Sequence, residues 1–180
     1  MTIKVKKYHR VMGIDASSNS FAYSIFQDGE LVEWGEINFK GNSVFARLFD
    51  GQRKLSSMQR LYNVDLIVFE SAVFVQNKKT VVQLAYVFGA LISALMVSGA
   101  DVKDIPPITW QNAIGNKALN KAEKLEIQKA NPGKSSSWYS NAYRMERKDR
   151  TRQWVKRTFG LEIESDNITD SIGVGYVGSR

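Results

Sequence analysis

The run VMGIDASSNS (residues 11–20) leads apolar side chains into a single carboxylate, Asp15, and then changes at once to small polar residues. Val11, Met12 and Ile14 have the character of a strand entering a core, where a charge is costly unless it is paired or holds a metal. A second run, DLIVFE (65–70), is nearly all apolar, as expected of a strand covered on both faces, and it too ends on an acid, Glu70. A fold that buries both strands must bring something to their ends that compensates the charge.

The pattern around these two runs is mixed α/β. Residues 11–15, 21–27 and 31–37 read as three antiparallel strands, the last two joined by a hairpin turn at Asp28-Gly29. Between 43 and 62, Val44, Phe45, Leu48, Phe49, Leu55, Met58 and Leu61 recur at helical spacing behind a capping Ser43, with Gly51 as an expected break. Residues 80–97 are apolar almost all round, which predicts a buried helix with one face on the sheet and the other on a second subunit. A fifth strand is expected over 100–105, ended by Pro106-Pro107. Helices are expected over 121–130 and 146–159, separated by the turn-rich NPGKSSS (131–137). A final helix starts near Asp166 or Asn167 and runs towards Tyr176, its length left open by Gly173 and Gly175.

At 180 residues the chain is long enough for one good core and short for two domains. It has no cysteine and one histidine, His9, which excludes disulfides, thiolate sites and a His-rich zinc centre, so any metal is held by oxygen. The basic start MTIKVKKYHR lacks the apolar stretch and cleavage site of a secretory signal, and 81–97, interrupted by Gln83 and Ser93, is at the lower edge of spanning length; a cytoplasmic protein with no membrane partner is expected. The net charge of +7 is unevenly spread. Residues 117–157 hold 12 Lys/Arg against 4 Asp/Glu, while the rest holds 13 against 14. One basic excursion on a near-neutral body suits a polyanionic partner, most simply nucleic acid, and equally a solvated helical surface.

Asp166 and Asp170 are four residues apart and share a helix face. If the first and fourth strands are neighbours, Asp15, Glu70, Asp166 and Asp170 converge. Four unbalanced carboxylates resist joint ionisation, and hard divalent cations relieve this. Mg²⁺ is expected, with Mn²⁺ as the alternative; two such ions about 4 Å apart suit phosphodiester cleavage. Taken singly, Asp15 is a turn residue, Glu70 an ion-pair partner and Asp166 a helix cap.

GIDASSNSFAYSIF (13–26), IVFESAVFVQNKKTVVQLAYVFGAL (67–91) and DNITDSIGVGYVG (166–178) resemble, in order, the three acidic motifs of RuvC-like Holliday junction resolvases. The resemblance implies an α/β, ribonuclease H-like fold: a central five-stranded mixed sheet with helices on both faces. It spans 11–178 and leaves the segment near 116–145 without a clear counterpart, so residues 1–180 read as one nuclease domain with a basic helical insertion there. It implies a homodimer that cuts branched DNA, four-way junctions above all, by paired symmetric nicks with two divalent ions per site. Asp15, Glu70 and Asp170 match the family's metal ligands. Many relatives place an acid or histidine three residues before the last aspartate, where this chain has Asn167; Asp166 is preferred as the fourth ligand because it supplies charge.

The resemblance also implies DNA contacts. Phe74 follows the fourth strand where an apolar side chain enters the opened junction, and it can stack on a base or belong to the core. Asn77 and Lys78 can position the DNA backbone or form an ordinary helix start, Asn77 as its cap. Lys117 resembles a lysine near the family's active site, or is a surface charge. The insertion departs from the family's pattern; its own residues interleave Lys134, Arg144, Arg147 and Lys148 with Trp138, Tyr139 and Tyr143, which embrace a DNA arm or form a satellite core. The alternatives are another ribonuclease H-like nuclease acting on RNA–DNA hybrids or flaps, a noncatalytic DNA-binding module, and an actin or sugar-kinase type nucleotide-binding protein, which needs a second phosphate loop absent from this chain. The location implied is cytoplasmic, either nucleoid-associated or in a host cell if the source is viral.

Overall fold

The computed structural model describes residues 7–71, 78–96 and 99–180. Strands β1 (Arg10–Ala16), β2 (Ser20–Gln27) and β3 (Glu30–Asn38) form an antiparallel meander, and β4 (Leu66–Glu70) and β5 (Asp101–Ile105) continue the sheet in parallel from β1. The order β3-β2-β1-β4-β5 makes the expected mixed sheet, with β1 at its centre. Asp28 and Gly29 both have positive φ, 51° and 87°, the backbone twist a two-residue hairpin requires.

Period-two alternation divides the core in two. Met12, Ile14, Phe21, Ile25, Ile67 and Phe69 point to one face and pack under α1 (Val44–Tyr62) and α2 (Lys78–Met96). Val11, Phe26, Leu66 and Val68 point to the other, under α3 (Pro107–Ala113), α5 (Ser136–Phe159) and α6 (Asp166–Gly178). The remaining helix, α4 (Lys121–Ala130), has no buried residue. Ser43 caps α1 as expected, its Oγ accepting from Ala46 N–H. Among the described residues no helix is long and apolar enough to cross a membrane. The apolar run over 81–97 lies mostly within α2, which buries Val87, Leu91 and Leu95.

Two helical expectations are corrected, and one helix is added. Gly51 does not break α1: it is buried against Phe39, and a Cβ there would come within 2.8 Å of the ring. The helix expected from 146 starts ten residues earlier, where Ser135 Oγ accepts from Trp138 N–H and supplies the cap. Pro106-Pro107 ends β5 but also opens an unexpected helix, α3, because a proline at the first helical position loses no hydrogen bond there.

Helix α6 positions the functional residues. It lies so close to β1 that a Cβ on Gly13 would stand 2.3 Å from the Gly175 nitrogen, and a Cβ on Gly175 would stand 2.4 Å from Ser24 Oγ. Ser24, buried on β2, donates to the Ser171 carbonyl at 2.7 Å and ties the helix backbone to the sheet. Gly173 receives the edge of the Trp110 ring. The glycines that left its length open are its contact surface, and α6 runs as expected through Tyr176, to Gly178.

Candidate active site

In parallel register Val11 lies opposite Leu66 and Ile14 opposite Phe69, so the next step sets Asp15 beside Glu70 at the same end of the sheet. Alternation turns both towards α6. Because the glycine contact brings that helix down on β1, Asp170 completes a group of three carboxylates, each with an oxygen within 4.8 Å of the others. Trp110, fully buried on α3, donates its indole N–H to Glu70 Oε1 at 3.1 Å.

The three acids strain against one another. Burial, then the charge of Glu70, raises the Asp15 carboxyl to about 7. Burial, then Glu70 and Asp15, raises Asp170 to about 8. Burial also raises Glu70, against the lowering effect of its hydrogen bond from Trp110. A hard cation with oxygen preference fits this donor set, because it replaces the water and the opposite charge that burial has removed.

Asp166, expected as the fourth ligand, lies outside the group. Its two oxygens are held by Lys148 Nζ at 2.6 Å and Arg152 Nη1 at 2.7 Å, both from α5. Nor does it cap α6, since Ser165 Oγ accepts from Ile168 N–H. Asn167 instead lines the cleft with Asp15, Glu70 and Asp170. Its amide N–H donates to Glu36 Oε1 at 3.2 Å. Glu36 was not anticipated from the sequence: it is two places across the sheet from Asp15, with Ala22 between, and also accepts from Ser20 Oγ and Ser165 Oγ. A carboxylate only accepts, so Glu36 fixes the nitrogen side of the Asn167 amide and leaves the oxygen to the other side.

The cleft encloses about 420 Å³, and α5 lines its basic wall with Arg144, Arg147, Lys148 and Thr151. Arg147 is anchored by hydrogen bonds to Gln111 Oε1 and to the Asn116 carbonyl. Lys148, expected as a DNA contact of the basic insertion, lines the cleft beside the acids, whereas Lys117, expected near the active site, is exposed after α3 and does not line the cleft. Phe74 and Asn77 lie outside the described residues, and Lys78 is described only as the first backbone position of α2. Trp110 was missed as a site residue, and Arg144 and Arg147, read with the insertion as contacts for a DNA arm, stand at the cleft instead. Only the proline at the start of α3 signalled the helix that carries Trp110.

A mixed sheet in this order, flanked by helices and closed by an acidic group at the ends of β1, β4 and α6, defines a ribonuclease H-like fold with a candidate metal site. The family model described as crossover junction endodeoxyribonuclease RuvC matches residues 11–130, two thirds of the chain, and the chain belongs to that family. The crossover junction endodeoxyribonuclease RuvC of Campylobacter jejuni serotype O:6 is 26% identical over 171 residues, 92% of each protein. Thermus thermophilus RuvC, solved with a Holliday junction substrate, superposes with a TM-score of 0.68 at 11% identity, covering 93% of this chain and 90% of that one. The yeast mitochondrial Holliday junction resolvase Ydc2 gives a TM-score of 0.57 at 13% identity, over 97% and 79%.

The raised carboxyls predict a pH signature. From the ordinary carboxylate range up to about 8, the metal-free folded protein holds protons on Asp15 and Asp170 that the unfolded chain has released, so stability falls as pH rises through that window. Removing one acid removes part of the loss. Melting of metal-free protein between about pH 5 and about pH 8.5 should show a steeper fall for wild type than for Asp170→Asn, with the variant the more stable at the upper end. Parallel curves would mean that the three acids do not strain one another.

Proposed function

We propose that this protein is a metal-dependent endonuclease that resolves four-way DNA junctions by paired symmetric nicks, acting as a homodimer with two divalent ions, Mg²⁺ or Mn²⁺, in each site. The observation that carries this reading is the three-carboxylate group in a cleft walled by Arg144, Arg147 and Lys148. Such a site needs a cation to be at ease and a polyanion to fill it. Membership of a family described as crossover junction endodeoxyribonucleases supports the choice of substrate.

Asp15, Glu70 and Asp170 hold the metal in this reading, and the amide oxygen of Asn167, turned by Glu36, is the fourth protein ligand in place of Asp166. When bound, the ions supply an activated water and charge stabilisation at the leaving oxygen. The chain supplies position. Trp110 fixes Glu70, and the Glu36 carboxylate holds the Asn167 amide in one orientation. Asp166 restrains Lys148 and Arg152 on α5, beside the scissile phosphate that the basic wall would receive. Phe74 as a base-stacking side chain, with Asn77, Lys78 and Lys117 on the DNA backbone, completes the contact set, and residues 1–180 are read as one nuclease domain with its insertion at 116–145. Phe45 and Phe49 on α1 and Val82 and Tyr86 on α2 are exposed large apolar side chains, which support a symmetric dimer through this layer.

Four-way junctions, flaps, RNA–DNA hybrids and ATP, offered in parallel, test the reading. Paired nicks confined to the junction are expected. Asp15→Asn, Glu70→Gln and Asp170→Asn should each reduce cleavage below detection and leave junction binding intact, since phosphate contacts hold the DNA. A preference for another substrate, or near-normal cutting by one of these variants, would overturn the function or remove that residue from the site. Sedimentation should give a dimer that Tyr86→Glu weakens; a wild-type monomer, alone and on a junction, contradicts the dimer.

The fourth ligand is tested by metal affinity rather than rate. Calorimetric titration with Mn²⁺ should show Asn167→Ala binding about tenfold more weakly, and Glu36→Gln weakened as well, as removal of a supporting hydrogen-bond partner does at metal sites. Asp166→Asn should bind the ion as wild type does. Weak binding by Asp166→Asn with unchanged Asn167→Ala would restore Asp166 as the ligand.

A further inference from the structure

The hairpin of α4 and α5 has no evident reason to exist as core. No residue of α4 is buried, and α5 buries only Thr151 and Val155, both in its C-terminal half. Leu125, Trp138 and Met145 are exposed. Yet the hairpin is carefully held. Asn120 and Glu123 form a reciprocal capping box at the start of α4, and Ser135 caps α5. Tyr139 donates to the Asn131 carbonyl at 2.6 Å, Gln128 donates to the Tyr143 hydroxyl at 2.8 Å, and the two tyrosine rings stack. Arg150 pairs with both Glu123 and Glu146. These contacts fix the shape of an arm that contributes little to the fold, which is the pattern of a binding element.

Its charge says what it binds. Residues 117–144 carry six Lys/Arg and two glutamates. The glutamates are already engaged, Glu126 by Lys129 and Glu123 by Arg150. Among the described residues Lys117, Lys121, Lys124, Lys134 and Arg144 have no carboxylate partner. Lys124 and Lys134 rest over the rings of Tyr143 and Trp138, which orders their stems and leaves the ammonium groups without a counter-ion.

Continuity with the cleft says where. The helix that lines the cleft with Arg144, Arg147, Lys148 and Thr151 is the one that runs outward to Ser136. From Arg144, the outermost of these cleft residues, back to Ser136 the helix makes eight rises, about 12 Å at 1.5 Å per residue. A duplex leaving the cleft passes about three or four base pairs over that distance at 3.4 Å each.

We propose that the α4–α5 hairpin is a second DNA-binding surface that tracks the backbone of one duplex arm for about a third of a helical turn beyond the cleft, through Lys121, Lys124 and Lys134. This rests on the nuclease reading above and adds a contact outside its active site. The arm's aromatic residues serve to staple the hairpin, so the contact follows phosphates and carries no sequence preference.

The test is the salt dependence of DNA binding by the full chain, without divalent metal, for wild type, for Lys121→Ala/Lys124→Ala/Lys134→Ala and for the matching triple arginine variant. The alanine variant should bind long-armed junctions and linear duplex at least about tenfold more weakly, with a log–log salt slope smaller by roughly 2 to 3, near 0.9 for each phosphate no longer neutralised. The arginine variant should restore both, which separates removal of charge from a loosened hairpin. With metal and saturating protein, the alanine variant should cut at the wild-type rate. Unchanged affinity and slope in the alanine variant would overturn the proposal and leave the patch to another partner, such as an acidic protein. A wild type that binds duplex with the predicted slope but cuts no junction would overturn the resolvase reading and keep the hairpin.

Discussion

The backbone of α6 rests on the backbone of β1, and the site depends on that contact. Two glycines allow it: a side chain on Gly13 would clash with the Gly175 nitrogen, and one on Gly175 would strike Ser24. Ser24 then uses its hydroxyl to hold the Ser171 carbonyl. Asp170 is the residue before Ser171, and Asp15 is two residues beyond Gly13 on the same strand face. Lifting the helix by the width of one methyl group would separate the acid it carries from the two carried by the sheet.

What this contact assembles is unfavourable by itself. Burial pushes Asp15, Glu70 and Asp170 towards their protonated forms, and each of the two aspartates is pushed further by its neighbours. The surroundings compensate only in part. Trp110 offers one hydrogen bond to Glu70, and Lys148 lowers all three acids while giving its closest contact to Asp166. Stability is given up locally to keep oxygen atoms together, a common feature of sites built for a cation. The rest of the molecule makes this tolerable through two well-packed cores, one on each face of the sheet.

Much of this was legible in the sequence, and the failures share a cause. Strand ends announce themselves by alternation, and an acid at the end of an apolar run is conspicuous, so Asp15 and Glu70 could be found from the sequence alone. Gly51 was misread and the length of α6 was left open because helix propensity is a local quantity, whereas Gly51, Gly173 and Gly175 answer to a ring or a strand distant in sequence. The first turns of α5 were read as loop because an exposed helix shows no apolar period, and only the serine cap marked its start. Spacing puts both Asp166 and Asn167 on the face of Asp170, and Asp166 was preferred for its charge. The cations that claim Asp166 come from α5, and no spacing within α6 reveals them. Glu36 was invisible for the same reason: its link to Asn167 crosses the sheet from β3.

The fold holds three carboxylates in a strained, partly protonated group that a divalent cation would complete. Calorimetry of Mn²⁺ binding at neutral pH, in two buffers of different ionisation enthalpy, measures this directly because it counts the protons that leave as the ion enters. With Asp15 near 7 and Asp170 near 8, wild type should bind the ion and release about one proton or more per site, and Asp170→Asn should bind weakly and release fewer. Binding with no proton release, or equal binding by Asp170→Asn, would contradict the account.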